Sequence, residues 1–161
     1  MKHNANYARI AFLLMMCFPL AACDPGTHMN PKGWTRSNDF ERTTEFERVL
    51  ITTSGLFGLD HWDHDSTEFR ILNKRSSPVL LESADLTAQG RTYEAVVLGI
   101  ATPNQGWIRR IEPNIPARVE VKWNFGKPLR EVYKESVTIS LRLRIEGEIH
   151  TLEIRYPHGE S

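Results

Sequence analysis

The pattern of apolar and polar positions is clearest near the C-terminus, where Val137–Ile145 reads Val-Thr-Ile-Ser-Leu-Arg-Leu-Arg-Ile. Strict alternation over nine positions is the period of a strand with one buried face. Glu146-Gly147 follows, and Leu152, Ile154 and Tyr156 then alternate again. Pairing Ile145 with Glu148 sets Leu143 opposite His150, Leu141 opposite Leu152, Ile139 opposite Ile154 and Val137 opposite Tyr156. Apart from Ile149, the large apolar residues then share one face. A slip of one residue sends every side chain to the other face, so burial fixes this register. Thr138, Ser140, Arg142, Arg144, Thr151, Glu153 and Arg155 form the solvated face.

Residues 119–125, Val-Glu-Val-Lys-Trp-Asn-Phe, alternate just as strictly, with Pro113 and Pro116 placed before them. A proline there removes no ladder hydrogen bond. Leu129, Val132 and Tyr133 fall at i, i+3 and i+4, which predicts one helical turn with all three on the core. Weaker strands are expected at 47–53, 69–73, 79–86, 92–100 and 107–111. Gln89-Gly90 marks a hairpin turn. Val79, Leu81, Ala84 and Leu86 change phase midway, which predicts a bulge. About eight short strands with no long helix predict an all-β fold: an antiparallel two-sheet sandwich over residues 45–158, with a small β-barrel as the alternative. Residues 69–156 resemble immunoglobulin-like sandwiches in general architecture, without their paired cysteines.

The N-terminus has a different pattern. Lys2 and Arg9 precede an eleven-residue apolar run from 10 to 20, then Ala21, Ala22 and Cys23. A basic start, a short apolar centre and small residues before a cut describe a secretory signal. The run is short of the roughly 20 apolar residues that span a bilayer. Leu20-Ala21-Ala22-Cys23 resembles the lipobox of bacterial lipoproteins. The resemblance implies that residues 1–22 are a signal peptide and that Cys23 becomes the first mature residue, carrying diacylglycerol and an acylated amine. One acyl chain anchors only marginally and two or three hold lastingly. In systems of the enterobacterial kind, aspartate at the next position, here Asp24, favours the inner membrane; the outer membrane is the alternative. Either way the protein is expected to face the periplasm.

Residues 23–44 read as the lipidated cysteine and a flexible tether. Asp24-Pro25-Gly26, Asn30-Pro31-Lys32-Gly33 and Ser37-Asn38-Asp39 are breaker clusters without apolar period. A coil of that length averages roughly 25 Å. Trp34 and Phe40 stand out in it, as residues that dock on the domain or on the membrane interface.

The chain has 161 residues, with 20 basic and 20 acidic side chains. Losing Lys2 and Arg9 with the leader leaves 18 basic against 20 acidic. That balance argues against nucleic acid as a partner, because nucleic acid demands concentrated positive charge. The two cysteines are Cys17 and Cys23, so the mature domain has no thiol for a disulfide, a metal or catalysis.

The one dense polar cluster is Asp60-His61-Trp62-Asp63-His64-Asp65. Imidazole and carboxylate are good zinc or copper ligands, but the spacing matches no ligand pattern. It reads as a solvated loop in which aspartates make turns, and no metal or cofactor is assigned. Trp62, Trp107 and Trp123 could line a sugar-stacking surface, although Trp123 alternates with core residues. Nucleophile and phosphate-loop motifs are absent, so no catalytic residue is named. The expected function is a lipid-anchored, non-enzymatic binding module for an envelope protein. A metal-binding or metal-delivery lipoprotein using the loop Asp60 to Asp65 is one alternative. A cell-wall glycan or small-molecule binder is another.

Overall fold

A computed structural model describes residues 26–102 and 106–158; Cys23 and Asp24 lie outside them. The elements in chain order are β1 (Gly26–Met29), β2 (Thr35–Arg36), β3 (Arg42–Phe46), β4 (Val49–Thr53), β5 (Leu56–Leu59), β6 (His64–Asn73), β7 (Val79–Ala88) and β8 (Arg91–Tyr93). They continue with β9 (Val97–Thr102), β10 (Gly106–Ile108), β11 (Arg110–Ile111), β12 (Ala117–Asn124), the one-turn helix α1 (Leu129–Val132), β13 (Val137–Ile145) and β14 (Glu148–Tyr156). One sheet has seven strands in the order β10-β9-β12-β6-β4-β3-β2. A second has the order β11-β7-β13-β14, with β8 also on β7, and β1 pairs β5 in a short ribbon. The fold is all-β and sandwich-like, and every strand pairing is antiparallel.

The two larger sheets enclose one apolar core. Phe69, Ile71, Val119, Val121 and Trp123 come from the seven-stranded sheet. Leu81, Leu86, Ile139, Leu141, Leu143 and Ile154 come from the other. Burying each such side chain stabilises by roughly 1.5–3 kcal/mol. The Trp123 indole N–H donates to the carbonyl of Ala84 at 2.7 Å, which joins the sheets and satisfies the ring's one polar atom.

Hairpin β13–β14 has the register read from alternation: Ile145 faces Glu148, Leu141 faces Leu152 and Val137 faces Tyr156. Glu146 (φ 51°) and Gly147 (φ 92°) make its two-residue turn, the positive-φ geometry that matches strand twist. The phase change in β7 is a bulge. Arg142 faces Ser83 while Leu143 faces Leu81, so Glu82 is the extra residue. The bulge lets Leu81 and Ala84 both point inward. Leu129, Val132 and Tyr133 are buried together at α1, as their spacing predicts.

Two expectations are corrected. The segment expected as a tether over residues 23–44 contributes strands β1 and β2 and the first three residues of β3, and the described residues hold fourteen strands rather than about eight. Met29 is 1% exposed, and Trp34 packs against the core. These strands are two to five residues long, and β2 and β3 lie at a sheet edge where most side chains are at least partly wet. Their pairing is carried by the backbone, so no alternation announces it. The turn between β3 and β4 is Glu47-Arg48, both at positive φ (50° and 62°). Without glycine or asparagine, it gives no hairpin signal.

Candidate functional site

The cluster from Asp60 to Asp65 is divided by the start of β6. His64 and Asp65 belong to the strand, so their side chains leave by opposite faces. The Asp63 carboxylate pairs with His64 Nδ1 at 3.0 Å, and this bond holds the Asp63 carboxyl below the usual carboxylate range. Trp62 lies flat on the His64 ring, with centroids 5.4 Å apart and planes 5° apart. The loop backbone is tied to α1: the Trp62 and Asp60 carbonyls accept from the amides of Leu129 (2.7 Å) and Arg130 (3.2 Å). Those are two of the helix's first amides, which lack partners within the helix. Asp65 turns into the interior, away from the exposed Asp63–His64 pair. Among the described residues, no group of three or more His, Cys, Asp or Glu is placed to hold a metal.

Asp65 is the residue that sequence reasoning misplaced. The sequence pattern groups it with a solvated loop, yet it is 1% exposed. Its Oδ2 accepts the Tyr133 hydroxyl at 2.5 Å and its Oδ1 accepts the Ser66 amide at 2.7 Å. Burial raises its pKa to about 6, against the opposing pull of the Tyr133 hydrogen bond. Thr53 and Thr67 are buried as well. The Thr67 hydroxyl donates to the Gly55 carbonyl at 2.8 Å, and the Gly55 amide donates to Thr53 Oγ1 at 3.2 Å. A Cβ on Gly55 would stand 2.4 Å from the Met29 carbonyl, and one on Gly58 would overlap Leu129. The β1–β5 ribbon therefore closes directly over this polar pocket of the interior.

Outside the ribbon, three adjoining clefts meet at Ser54. One, of about 360 Å³, is lined by His28, Phe40, Ser54 and Phe57. A second, of about 330 Å³, shares Ser54 and Phe57 and runs to Glu68 and Glu120. A third, of about 220 Å³, shares Ser54 and Glu68 and reaches Glu41, Arg70 and Arg118. Together they form one trough across the outer face of β4, β6 and β12. Phe40 is 78% exposed and Phe57 56%. Arg118 pairs with Glu68 and Arg70 with Glu41 along its floor. Sequence reasoning named Phe40 only as an oddity of the tether and passed over Phe57. The available signal was Leu56-Phe57-Gly58-Leu59, a short strand with apolar residues on both faces.

Of the three tryptophans considered for a stacking surface, Trp123 is buried in the core. Trp62 sits on the His64 ring, and Trp107 belongs to β10, its side chain outside the described set. No protein-family model matches the chain, and no curated protein matches it. Fold and trough together define an all-β, sandwich-like protein with an aromatic-lipped surface groove.

Proposed function

We propose that the chain is a lipid-anchored, periplasm-facing binding module that holds an envelope protein in the trough at Ser54, without catalysis. The observation that carries this reading is the pair Phe40 and Phe57, two large rings left mostly in water beside the Arg70–Glu41 and Arg118–Glu68 pairs. Exposed apolar surface rimmed by polar groups marks interaction sites. Aromatic and arginine side chains are enriched where partners bind. The matching segment of a partner presents an apolar side chain to the rings and a charged group that can exchange with one of the ion pairs. Attachment is by lipid on Cys23, with Asp24 favouring the inner membrane and the outer membrane as the alternative.

Two measurements test the proposal. Cys23→Ser should abolish incorporation of labelled palmitate and shift the chain out of the membrane fraction; unchanged labelling overturns the anchor. A photo-crosslinking residue in place of Phe57 should capture a discrete envelope protein in intact cells. The same residue in place of exposed Ser76, in the β6–β7 connection, should capture none. Equal capture from both positions, or none from Phe57, overturns the trough as the binding surface.

A further inference from the structure

We infer that the loop carrying Trp62 rests on the bilayer surface, so that the domain is seated on zwitterionic phospholipid headgroups rather than held away from them. The inference rests on the anchor at Cys23 proposed above and adds the face that meets the lipid. Strand β1 begins at Gly26, three residues after Cys23. Three residues of fully extended chain reach at most about 11 Å. That is too little to lift the fold off the membrane, where the tether expected over residues 23–44 would have allowed about 25 Å.

The ribbon register says which part of the fold is brought down. Gly26 pairs with Leu59, and strand partners lie about 5 Å apart at Cα. The Leu59 carbonyl accepts the Trp62 amide at 2.9 Å. Gly26 and Trp62 are thus close neighbours at one end of the molecule. Trp62 is 36% exposed, and its ring is braced by the parallel His64 imidazole. Tryptophan is enriched at the headgroup level, where one side of the ring is apolar and the other is wet. Asp63 stands exposed beside it. Its charge disfavours an anionic surface and suits the ammonium of a zwitterionic headgroup.

The rest of the fold is compatible with this seat. Strand β6 rises from His64, at the loop, through ten residues to Asn73, a length of roughly 30 Å. Thr53 pairs with Phe69 midway along it. The trough runs from neighbouring Ser54 to the ribbon, where its lip at His28 and Phe57 is two residues from the Gly26–Leu59 pair, so a partner held there is met close to the headgroups.

The test uses the mature chain from Cys23. Its only thiol is Cys23, so maleimide coupling to a phospholipid is site-specific. The coupled protein is mixed into phosphatidylcholine vesicles brominated near the headgroup, and tryptophan quenching is measured. The expected result is strong quenching that is mostly lost in Trp62→Phe. It should also be mostly lost when a flexible insert of about 20 Gly/Ser residues, averaging about 25 Å, separates Cys23 from Gly26. The insert leaves the domain itself untouched, so its result does not depend on how Trp62→Phe folds. Absence of quenching, or quenching that survives both changes, overturns the seat. Palmitate labelling in cells is scored separately, and its absence overturns the anchor alone.

Discussion

The β13–β14 hairpin and the β1–β5 ribbon are both two-stranded antiparallel pairings, and they hold their places by different means. The hairpin has nine paired positions. Its inner face carries Val137, Ile139, Leu141, Leu143, Ile145, Ile154 and Tyr156, all buried. Side-chain burial sets its register. The ribbon has four paired positions, and Met29 and Leu56 are its buried large residues. Its place is set by close backbone approach, with Gly55 against the Met29 carbonyl and Gly58 against Leu129. One pairing is specified by what is present along the strand, the other by what two glycines leave out. The lip of the trough lies on the second kind of structure and the proposed membrane seat adjoins it, where an outward ring such as Phe57 is not needed for the core.

The largest effect is expected in the hairpin. Leu141→Asp buries an unpaired charge and should cost several kcal/mol, enough to unfold a domain of typical 5–15 kcal/mol stability. Arg142→Asp, one residue along on the wet face, should stay within about 1 kcal/mol. Urea denaturation of both decides it, and equal losses would refute the assigned face.

The ribbon gives the next largest. Met29→Ala should cost about 2–5 kcal/mol, as for other buried methionines. A residue in a flexible tether would cost almost nothing, so this substitution separates a ribbon that belongs to the fold from one that merely lies on it.

Beneath the ribbon, Asp65 makes stability depend on pH. Its pKa is about 6 in the folded chain against an ordinary 3.8. As pH rises from 3.8, the unfolded chain loses this proton first, while the folded chain keeps it until about pH 6. The folded state binds more protons in that window, so stability falls as pH rises through it and is level above. The raised pKa corresponds to about 3 kcal/mol. Asp65→Asn should flatten this decline, read as urea midpoints between pH 4 and 7. A variant whose midpoints fall as steeply as those of the wild type would show that another group titrates.

The same contrast explains what could be read from the chain alone. The hairpin register, the β7 bulge, the α1 turn and the inner face of β12 were all legible, because each is an apolar period against water. The alternation in β6 was also there: Asp65, Thr67, Phe69, Ile71 and Asn73 are all buried. Three of the five are polar, and hydropathy hides a strand that buries Asp, Thr and Asn with hydrogen-bond partners. Strands β1 to β3 were hidden because a backbone ladder needs no particular side chain. The trough was hidden for a related reason, since it is assembled from five strands and two loops that meet only after folding.

The smallest expected effect is at the β3–β4 turn, where the contrast can be made to vanish. Gln89-Gly90 and Glu146-Gly147 each place glycine at the second positive-φ position. Glu47-Arg48 asks two residues with Cβ atoms to adopt the left-handed region, which costs roughly 1–2 kcal/mol each. The turn is held from outside: the Lys74 amide donates to the Arg48 carbonyl at 3.0 Å, and Arg75 Nη1 donates to the Glu47 carbonyl at 3.2 Å. Both contacts use backbone oxygens, so they survive a change of side chain. Replacing Glu47-Arg48 by Asn-Gly, the pair preferred in such turns, should keep them and relieve the backbone. The change forfeits the weak Glu47–His150 pairing at 3.8 Å, which is partly exposed and worth a few tenths of a kcal/mol. The net expectation is a gain of about 1 kcal/mol in urea denaturation, with slower unfolding. A loss instead would mean that the Glu47 or Arg48 side chain holds β3 in the sheet, and that this edge, like the hairpin, is specified by its side chains after all.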